Sequence, residues 1–288
     1  MNNRLACSDI EFIICEIKAR LIKGKLQRYL NSTENEEAKE VSNYLKNHSM
    51  TVFPYEYRDK YKVQDVTVRK DDSCGLFYGE IFGKKIYLKK KYVSNFRAAR
   101  YLSNIRMEQD PESPHCYTDD KFYPDKDSII FDIGGAEGIF GLEFIDNVKH
   151  VYIFECDEEW IEAMKVTYKD YLDKVTFIHK FAGDHISDTH VTLDRIVEEN
   201  NLWNEKIFVK MDAESDELKI LDGAKDLLER VEHVKLNVCV YHKQDHEQKV
   251  RDRFTGWKIT AAKGYMLYYY DFDFKEPYLR RGVLRIEK

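Results

Sequence analysis

Acidic and small residues recur at every second position after the apolar residues 129–131, as Asp132, Gly134, Ala136 and Gly138. A strand, a small-residue turn and a helix in this order are typical of the nucleotide site in an α/β sheet. Glycine lets the backbone approach a ligand closely and adopt positive φ angles. Dinucleotide sites have the spacing G-x-G-x-x-G, whereas the spacing here favours a nucleoside that carries an amino acid.

Glu155 follows the next predicted strand, residues 150–154, about twenty residues after the turn. A carboxylate at this position can accept hydrogen bonds from the hydroxyls of a ribose. The alternative is a helix cap, but Asp157 is better placed to cap the helix predicted for residues 160–171. We therefore expect Glu155 to bind ribose.

A third predicted strand, residues 175–181, leads into Ala182, Gly183 and Asp184. The two small residues would leave room for a flat adenine ring, and Asp184 would lie at its edge. Strands in any fold end in small or acidic residues, so this pattern is less specific than the first two. The other residues predicted to contact the cofactor are Gly135, Glu137 and Cys156.

Asp212 and Glu214 follow the apolar strand predicted for residues 207–211, at the sheet edge where open α/β sheets bind ligands. Asp212 could act as a general base, bind a divalent cation such as Mg²⁺, or accept hydrogen bonds from cofactor or substrate. Glu214 could contact substrate, or could satisfy the first N–H groups of the helix predicted for residues 215–228.

His242 ends the next predicted strand, residues 234–241, and its pKa near neutrality suits proton transfer from a hydroxyl. His115 lies in an unusual Ser-Pro-His sequence before the first sheet strand and could line an acceptor pocket with Tyr241. A lone histidine is more often structural, so the case depends on both histidines reaching the same edge as Asp212.

Composition narrows the class of protein. The chain has 288 residues, of which 43% are apolar and 14% aromatic, and a net charge of −6 that provides no basic field for nucleic acid. Six cysteines show no metal or redox spacing, and no signal peptide or membrane-spanning stretch is evident. We expect a cytoplasmic protein with reduced cysteines. The apolar stripe of residues 10–23 predicts a packing helix, and could pair two copies in a homodimer.

The organisation changes near residue 127. Residues 1–127 are predicted to be an accessory α+β region, with two helices in 8–48, antiparallel hairpins in 51–92 and a helix over 95–107. Ser32 or Thr33 could cap the second helix. In residues 128–288 strands alternate with helices, which predicts a doubly wound, mostly parallel sheet.

Three segments together resemble the FkbM family of S-adenosylmethionine-dependent methyltransferases, in particular a bacterial FkbM-like subgroup: FDIGGAEGIF, IFEC and FVKMDAESDELKILDGA. The resemblance covers about residues 128–242, and the last segment is the most specific. It departs from the family pattern at Ser215, where the family usually has glycine. The resemblance implies a class I methyltransferase (Rossmann-like) fold, with a seven-stranded sheet whose last strand, residues 278–286, is antiparallel and pairs with 264–270.

The resemblance also implies an activity, namely O-methylation of a carbohydrate hydroxyl (a sugar, nucleotide sugar or surface polysaccharide) or of a similar small molecule. In this hypothesis the glycine turn binds the methionine part of S-adenosylmethionine. Asp212 and His242 are catalytic, orienting and deprotonating the acceptor, and Mg²⁺ on Asp212 is a further hypothesis. The alternatives are a nicotinamide-dependent sugar-modifying enzyme, a non-catalytic Rossmann-like partner subunit and a protein methyltransferase.

Overall fold

The computed structural model describes residues 9–270 and 274–288. Its helices are α1 Asp9–Ser32, α2 Glu36–Asn47, α3 Asn95–Glu108, α4 Ile139–Phe144, α5 Glu158–Thr167, α6 Leu193–Glu199, α7 Glu217–Asp222, α8 Lys225–Arg230 and α9 His246–Arg253. Its strands are β1 Val68–Lys70, β2 Phe77–Ile81, β3 Lys84–Tyr87, β4 Ile129–Ile133, β5 His150–Phe154, β6 Val175–Ile178, β7 Phe181–Ala182, β8 His190–Val191, β9 Ile207–Met211, β10 Val234–Cys239, β11 Lys258–Ala261 and β12 Val283–Glu287.

Seven strands form the main sheet in the order β11-β12-β10-β9-β4-β5-β6. Strands β10, β9, β4, β5 and β6 are parallel, and β12 is antiparallel to both of its neighbours. Strands β4 and β9 are buried along their whole length, as expected when helices cover both sides of a sheet. This is the class I methyltransferase, Rossmann-like fold that the resemblance implies.

The predicted pairing of residues 278–286 with 264–270 is confirmed at only one position, and the strand partners differ. Strand β12 pairs with β11 and β10, and residues 264–270 contribute an isolated bridge between Met266 and Arg280. The backbone of this segment has another partner, because the Leu267 N–H donates to the Val52 carbonyl oxygen at 2.9 Å. Residues 264–270 therefore join the accessory region to the sheet.

The accessory region contains α1, α2, α3 and the antiparallel sheet β1-β2-β3, as predicted in outline. Asn35, and not Ser32 or Thr33, caps α2, since its Oδ1 accepts from the Ala38 N–H at 3.2 Å. Residues 56–60 and 63–65 form 3₁₀ turns where the alternating pattern predicted strands. Aromatic residues four apart, Tyr57 and Tyr61, mimic a strand pattern here although each packs in a turn.

The first helix is described only in part, because the side chains of residues 9–16, 18 and 19 lie outside the described part of the structure, as does Cys7. Among the side chains that are described, Ile17 and Leu21 are 53% and 75% exposed. The dimer through this stripe stays a prediction. In the described part of the chain, no helix has the length and apolar character needed to cross a membrane.

The helix predicted for residues 215–228 is divided at Gly223 into α7 and α8. A Cβ atom on Gly223 would lie 2.0 Å from the carbonyl oxygen of Gly183, so the chain turns here against the loop after β7. Asp157 caps α5 as predicted, accepting from the Glu159 N–H at 3.0 Å. These contacts fix the loops at the carboxyl edge of the sheet.

Apolar side chains form two clusters, one on each face of the main sheet. Ile129 and Phe131 face one cluster, whereas Ile130 and Phe208 face the other. The second cluster continues without a break into the accessory region, where it includes Leu26. The accessory region therefore covers one face of the sheet that carries the candidate site.

Candidate functional site

A cavity of about 140 Å³ lies at the carboxyl edge of the sheet, where the chain leaves the adjacent strands β4 and β9. Ligands in open α/β sheets bind at such a switch point. The cavity is lined by Ile133, Gly134, Phe154, Glu155, Cys156, Lys180, Phe181, Ala182, Asp212, Ala213, Glu214, Asp216 and Ile220. The structure thus brings together residues predicted from four separate segments of the sequence.

The small-residue turn is held by close backbone packing. Gly134 has a φ of +70°, and a Cβ atom there would lie 2.1 Å from the carbonyl oxygen of Asp212. The N–H groups of Gly134 and Gly135 both point at the Phe154 carbonyl oxygen, at 3.0 and 3.2 Å. Gly138 also has a positive φ, +77°. Glycine is required at position 134 for two reasons: the positive φ angle, and the close approach of the loop that follows β9.

Asp132 stabilises the turn through an ion pair with Lys210. Its side chain is fully buried, and its Oδ1 lies 3.0 Å from Nζ of Lys210, which donates to the Gly134 carbonyl oxygen at 2.8 Å. Burial acts to lower the pKa of Lys210, but the neighbouring Asp132 and Asp212 carboxylates outweigh it and raise the pKa. Lys210 is therefore charged, and its ion pair with Asp132 positions the turn rather than lining the cavity.

Glu155 lies at the cavity wall, 3% exposed. Its Oε2 accepts from the Ala136 N–H at 2.9 Å, and its Oε1 accepts from the Cys156 and Asp157 N–H groups, both at 2.8 Å. A carboxylate has about four acceptor sites, so about one remains for a ligand, on Oε2. Glu155 thus links the turn after β4 to the end of β5.

The three residues predicted to bind adenine do not lie together in the structure. Ala182 lines the cavity together with Phe181, whereas Gly183 packs its carbonyl group against Gly223. Asp184 is exposed, and its hydrogen bond with His185, 2.7 Å long, lowers the pKa of the carboxyl group. Gly183 and Asp184 have local structural partners, and Ala182 is the member of the three at the cavity.

Glu137 lies in a second cavity of about 70 Å³ on the other side of the turn, which also includes Gly135 and Ala136. Its Oε2 accepts a short hydrogen bond from the Tyr101 hydroxyl of α3. Burial raises the pKa of Glu137 to about 7. Tyr117 and Asp212 line the same cavity, so it adjoins the acidic edge of the site.

Asp212 is surrounded by donors from three parts of the chain. The hydroxyl groups of Tyr117 and Tyr241 donate to its Oδ2 and Oδ1 at 3.0 and 3.1 Å. The Nε2 atoms of His115 and His242 each lie 3.5 Å from it. Burial would raise the pKa of Asp212, but His115, His242 and Lys210 hold that pKa well below its usual range. The predicted residues His115, Tyr241 and His242 therefore do converge on Asp212.

His242 also contacts the acids that follow β9. Its Nδ1 lies 3.0 Å from Glu217 Oε1, and its Nε2 lies 3.6 Å from Glu214 Oε2. Burial would lower the pKa of His242, but Glu217, Asp212 and Glu214 raise it. His246 joins the group, with Nδ1 at 3.6 Å from Glu217 Oε2.

Three members of this network were not predicted as site residues: Tyr117, Glu217 and His246. Glu217 and His246 do carry a sequence signal, since Glu217 belongs to the specific motif and His246 follows His242 by four residues. Tyr117 has none, because a tyrosine in the loop before β4 gives no sign that it reaches Asp212.

The pKa shifts of Asp212 and His242 limit which of them can accept a proton from a substrate. A carboxylate whose pKa is well below neutrality is a weak proton acceptor, so Asp212 is better suited to orienting a hydroxyl than to deprotonating it. The surrounding carboxylates raise the pKa of His242, which favours the protonated, hydrogen-bond-donating form of the ring over the form that accepts a proton. The catalytic roles of both residues stay predictions.

The chain matches no family model, and no curated protein matches it. Solved structures do match. A tRNA methyltransferase from M. jannaschii is 15% identical, with 74% of this chain and 56% of that chain covered and a TM-score of 0.41. An rRNA methylase from Streptococcus thermophilus is 15% identical, with 57% and 89% covered and a TM-score of 0.39.

A precorrin-6y methyltransferase from Geobacter metallireducens is 14% identical, with 70% of this chain and 93% of that chain covered and a TM-score of 0.37. At these identities and scores the likeness carries neither an activity nor a substrate over to this chain. The FkbM resemblance likewise stays a resemblance, and the functional argument depends on the site itself.

Proposed function

We propose that this protein is an S-adenosylmethionine-dependent O-methyltransferase. One observation carries the proposal: Gly134 after β4, Glu155 after β5 and Asp212 after β9 line one cavity at the switch point of a class I sheet. The small-residue turn suits the methionine part of the cofactor, and Glu155 suits the ribose. The remaining acceptor site on Glu155 Oε2 would take a ribose hydroxyl.

The acceptor that we propose is a hydroxyl of a carbohydrate, or of a similar small molecule, as the FkbM resemblance implies. Tyrosine hydroxyls, imidazoles and carboxylates around Asp212 are groups that bind hydroxyls. Methyl transfer is an in-line displacement, so holding the acceptor oxygen opposite the sulfonium supplies much of the acceleration. In this proposal Asp212 orients the hydroxyl, and His115, Tyr241 and Glu214 contact the rest of the acceptor.

Mg²⁺ fits this group of residues poorly. Mg²⁺ prefers oxygen ligands and retains several waters, whereas the buried neighbours of Asp212 include His115 and His242. No step of the proposed transfer is assigned to Mg²⁺. Turnover that is the same with and without added Mg²⁺ would agree with that assignment.

The first experiment is calorimetric titration of the full chain with S-adenosylmethionine. We expect micromolar binding, weakened about tenfold in Glu155→Gln, which corresponds to about 1.4 kcal/mol and to the loss of a charge-assisted hydrogen bond. Glu229→Gln, an exposed acid outside the cavity, should bind like the parent. Circular dichroism checks that each variant is folded.

No cofactor binding to the folded protein would refute the proposal, and preferential binding of a nicotinamide dinucleotide would favour the oxidoreductase alternative. If the cofactor binds, release of S-adenosylhomocysteine in the presence of sugars and nucleotide sugars tests the acceptor class. Cofactor binding without turnover on any hydroxyl, peptide or nucleic acid acceptor would favour the non-catalytic partner subunit.

A further inference from the structure

Three side chains meet beneath the cavity in an arrangement that suits a metal ion. Asp212 follows β9, Glu217 begins α7 and His242 follows β10; they are 8%, 0% and 2% exposed. One ligand atom from each lies within 4.8 Å of the other two. The two printed contacts of His242 come from different ring nitrogens: Nδ1 lies 3.0 Å from Glu217 Oε1, and Nε2 lies 3.5 Å from Asp212 Oδ1. Ligand atoms bound about 2.0–2.2 Å from one ion lie roughly 3 to 3.5 Å apart, so one of these nitrogens is already at ligand distance from a carboxylate and the third residue would have to move in by about 1 Å.

Polar atoms in this cluster are buried without a hydrogen bond. Within the described residues these are both ring nitrogens of His242, Oε2 of Glu217 and Nδ1 of His246. The contact of His242 Nδ1 with Glu217 is 3.0 Å long but outside hydrogen-bonding geometry. Buried polar groups without a partner cost free energy, and a ligand placed among these atoms would satisfy several of them at once.

The charges of the cluster point to a cation. Lys210 lies near Asp212 but forms its ion pair with Asp132, at 3.0 Å. In the part of the chain that the structure describes, Glu217 has two ion-pair partners, His242 and His246, and a histidine is charged only when protonated. Two buried carboxylates need compensating positive charge, which either protons on these histidines or a bound cation can supply.

We propose that Asp212, Glu217 and His242 bind a divalent transition-metal ion of the Zn²⁺ or Mn²⁺ class. Two carboxylates and an imidazole are a ligand set that such ions accept, with a fourth position left to water or substrate. One nitrogen of His242 binds the ion while the other faces a carboxylate, the usual way in which a metal-bound histidine is held. Mg²⁺ is disfavoured because it retains several waters, for which a buried cluster has little room.

Asp212 belongs both to this cluster and to the wall of the cavity, so the ion would lie beside a bound acceptor. A divalent cation lowers the pKa of a coordinated hydroxyl, which is the help that Asp212 and His242 alone do not give. This catalytic role rests on the proposed methyltransferase activity, but metal binding itself does not.

Direct binding tests the site on the full chain. Protein treated with chelator and then dialysed is titrated with Zn²⁺, Mn²⁺ and Mg²⁺ by calorimetry, and Mn²⁺ is followed by electron paramagnetic resonance. We expect one equivalent of Zn²⁺ or Mn²⁺ to bind at micromolar concentration or below, and Mg²⁺ to bind at least tenfold more weakly. A parent protein that binds neither Zn²⁺ nor Mn²⁺ would overturn the proposal, and the protons on the histidines would then balance the charge.

Variants locate the ion. Glu217→Gln and His242→Gln should each weaken binding by about 100-fold or more, since even residues behind the ligands typically contribute about 10- to 100-fold. His233→Gln, an exposed histidine, is the matched control. Two other described groups have metal-binding residue types, and a variant tests each: His48→Asn disrupts His48, Glu56 and Asp59, and Cys239→Ser disrupts His115, Asp212 and Cys239. Loss of binding in His48→Asn but not in Glu217→Gln would place the metal elsewhere and refute the inference. Binding that is lost in Cys239→Ser but kept in Glu217→Gln would also refute the inference.

These measurements separate the two proposals. Metal binding with no affinity for S-adenosylmethionine would support the metal site and refute the methyltransferase. Cofactor binding and turnover without any metal uptake would support the methyltransferase and refute the metal site.

Discussion

Ser215 lies in the left-handed region of backbone space, with a φ of +94°. Its neighbour Glu214 also has a positive φ, +52°. This is the position at which the sequence departs from the FkbM-like pattern, which usually has glycine there. A residue with a Cβ atom pays roughly 1–2 kcal/mol in this region, and glycine does not. The departure is therefore conformationally costly, and the rest of the turn has to stabilise it.

Ser215→Gly should raise the free energy of unfolding by about 0.5–1 kcal/mol, because relief of the strain exceeds the entropy that glycine adds to the unfolded chain. Urea denaturation followed by circular dichroism measures the change. Ser49→Gly is the control: Ser49 is exposed and is not among the residues with positive φ, so its replacement should lower stability. Equal effects of the two substitutions would contradict the strain at Ser215.

Glu137 should make the stability of the protein depend on pH between about 4.5 and 7, because burial raises its pKa to about 7 in the folded state. Below pH 4.5 the group is protonated in both states and has no effect. As pH rises the unfolded state loses its proton first, so stability falls until the folded group also ionises near pH 7. Glu137→Gln should therefore stabilise the protein by about 1–3 kcal/mol at pH 8 and change little at pH 4.5.

Thermal unfolding of the parent and of Glu137→Gln across this pH range measures the effect. Glu229→Gln, at an exposed position, should follow the parent at every pH. A constant difference between Glu137→Gln and the parent from pH 4.5 to pH 8 would show that the hydrogen bond with Tyr101, and not the ionisation, dominates.

At the scale of elements, the loops after β4 and β9 touch backbone to backbone through Gly134. Gly134→Ala should lower the free energy of unfolding by about 3 kcal/mol or more, since its Cβ would lie 2.1 Å from the Asp212 carbonyl oxygen at a φ of +70°. Gly75 has a similar φ, +73°, with no atom within 4 Å of its Cβ position. Gly75→Ala should therefore cost only about 1 kcal/mol.

Chemical denaturation of both variants separates the cost of the positive φ angle from the cost of the clash. The two glycines have similar φ angles, but only Gly134 has backbone atoms close to its Cβ position. S-adenosylmethionine binding by Gly134→Ala, if the variant folds, should also be lost. Similar stability losses at Gly134 and Gly75 would show that φ alone explains the glycine and that the two loops tolerate movement.

The elements that could be predicted from sequence are those with a strong local pattern. Strands β4, β5, β9 and β10 are apolar runs with a polar residue near or shortly after their carboxyl ends, so both the sheet and its ligand edge were predictable. These polar residues are Asp132, Glu155, Asp212 and His242. Contacts between residues far apart in the sequence were not predictable. The Tyr117 hydroxyl reaches Asp212 from 95 residues away, and in residues 264–270 Leu267 donates to Val52 while Met266 forms one isolated bridge with Arg280. These contacts depend on how the accessory region packs, which leaves no periodic signal.

At the scale of the whole molecule, the accessory region and the sheet share one apolar cluster. Trp160 of α5 is fully buried, and its ring packs against Tyr92 and Tyr101 of the accessory region at 6.0 and 5.6 Å. Near the C-terminus Arg281 forms a two-pronged ion pair with Glu37 of α2, at 3.0 and 2.6 Å. The division near residue 127 follows a change in sequence pattern, but the packing crosses it.

The full chain should therefore unfold in one cooperative transition, with tryptophan fluorescence and circular dichroism giving the same midpoint in urea. The fragment 128–288 should lack that transition, because it exposes Trp160 and the face of the sheet that α2, α3 and the hairpin cover. Glu37→Gln tests the coupling within the intact chain: leaving Arg281 half-buried without its carboxylate should lower both midpoints together. Two separate transitions in the parent, or a fragment that folds with the stability of the whole, would show instead that the sheet holds its site without the accessory region.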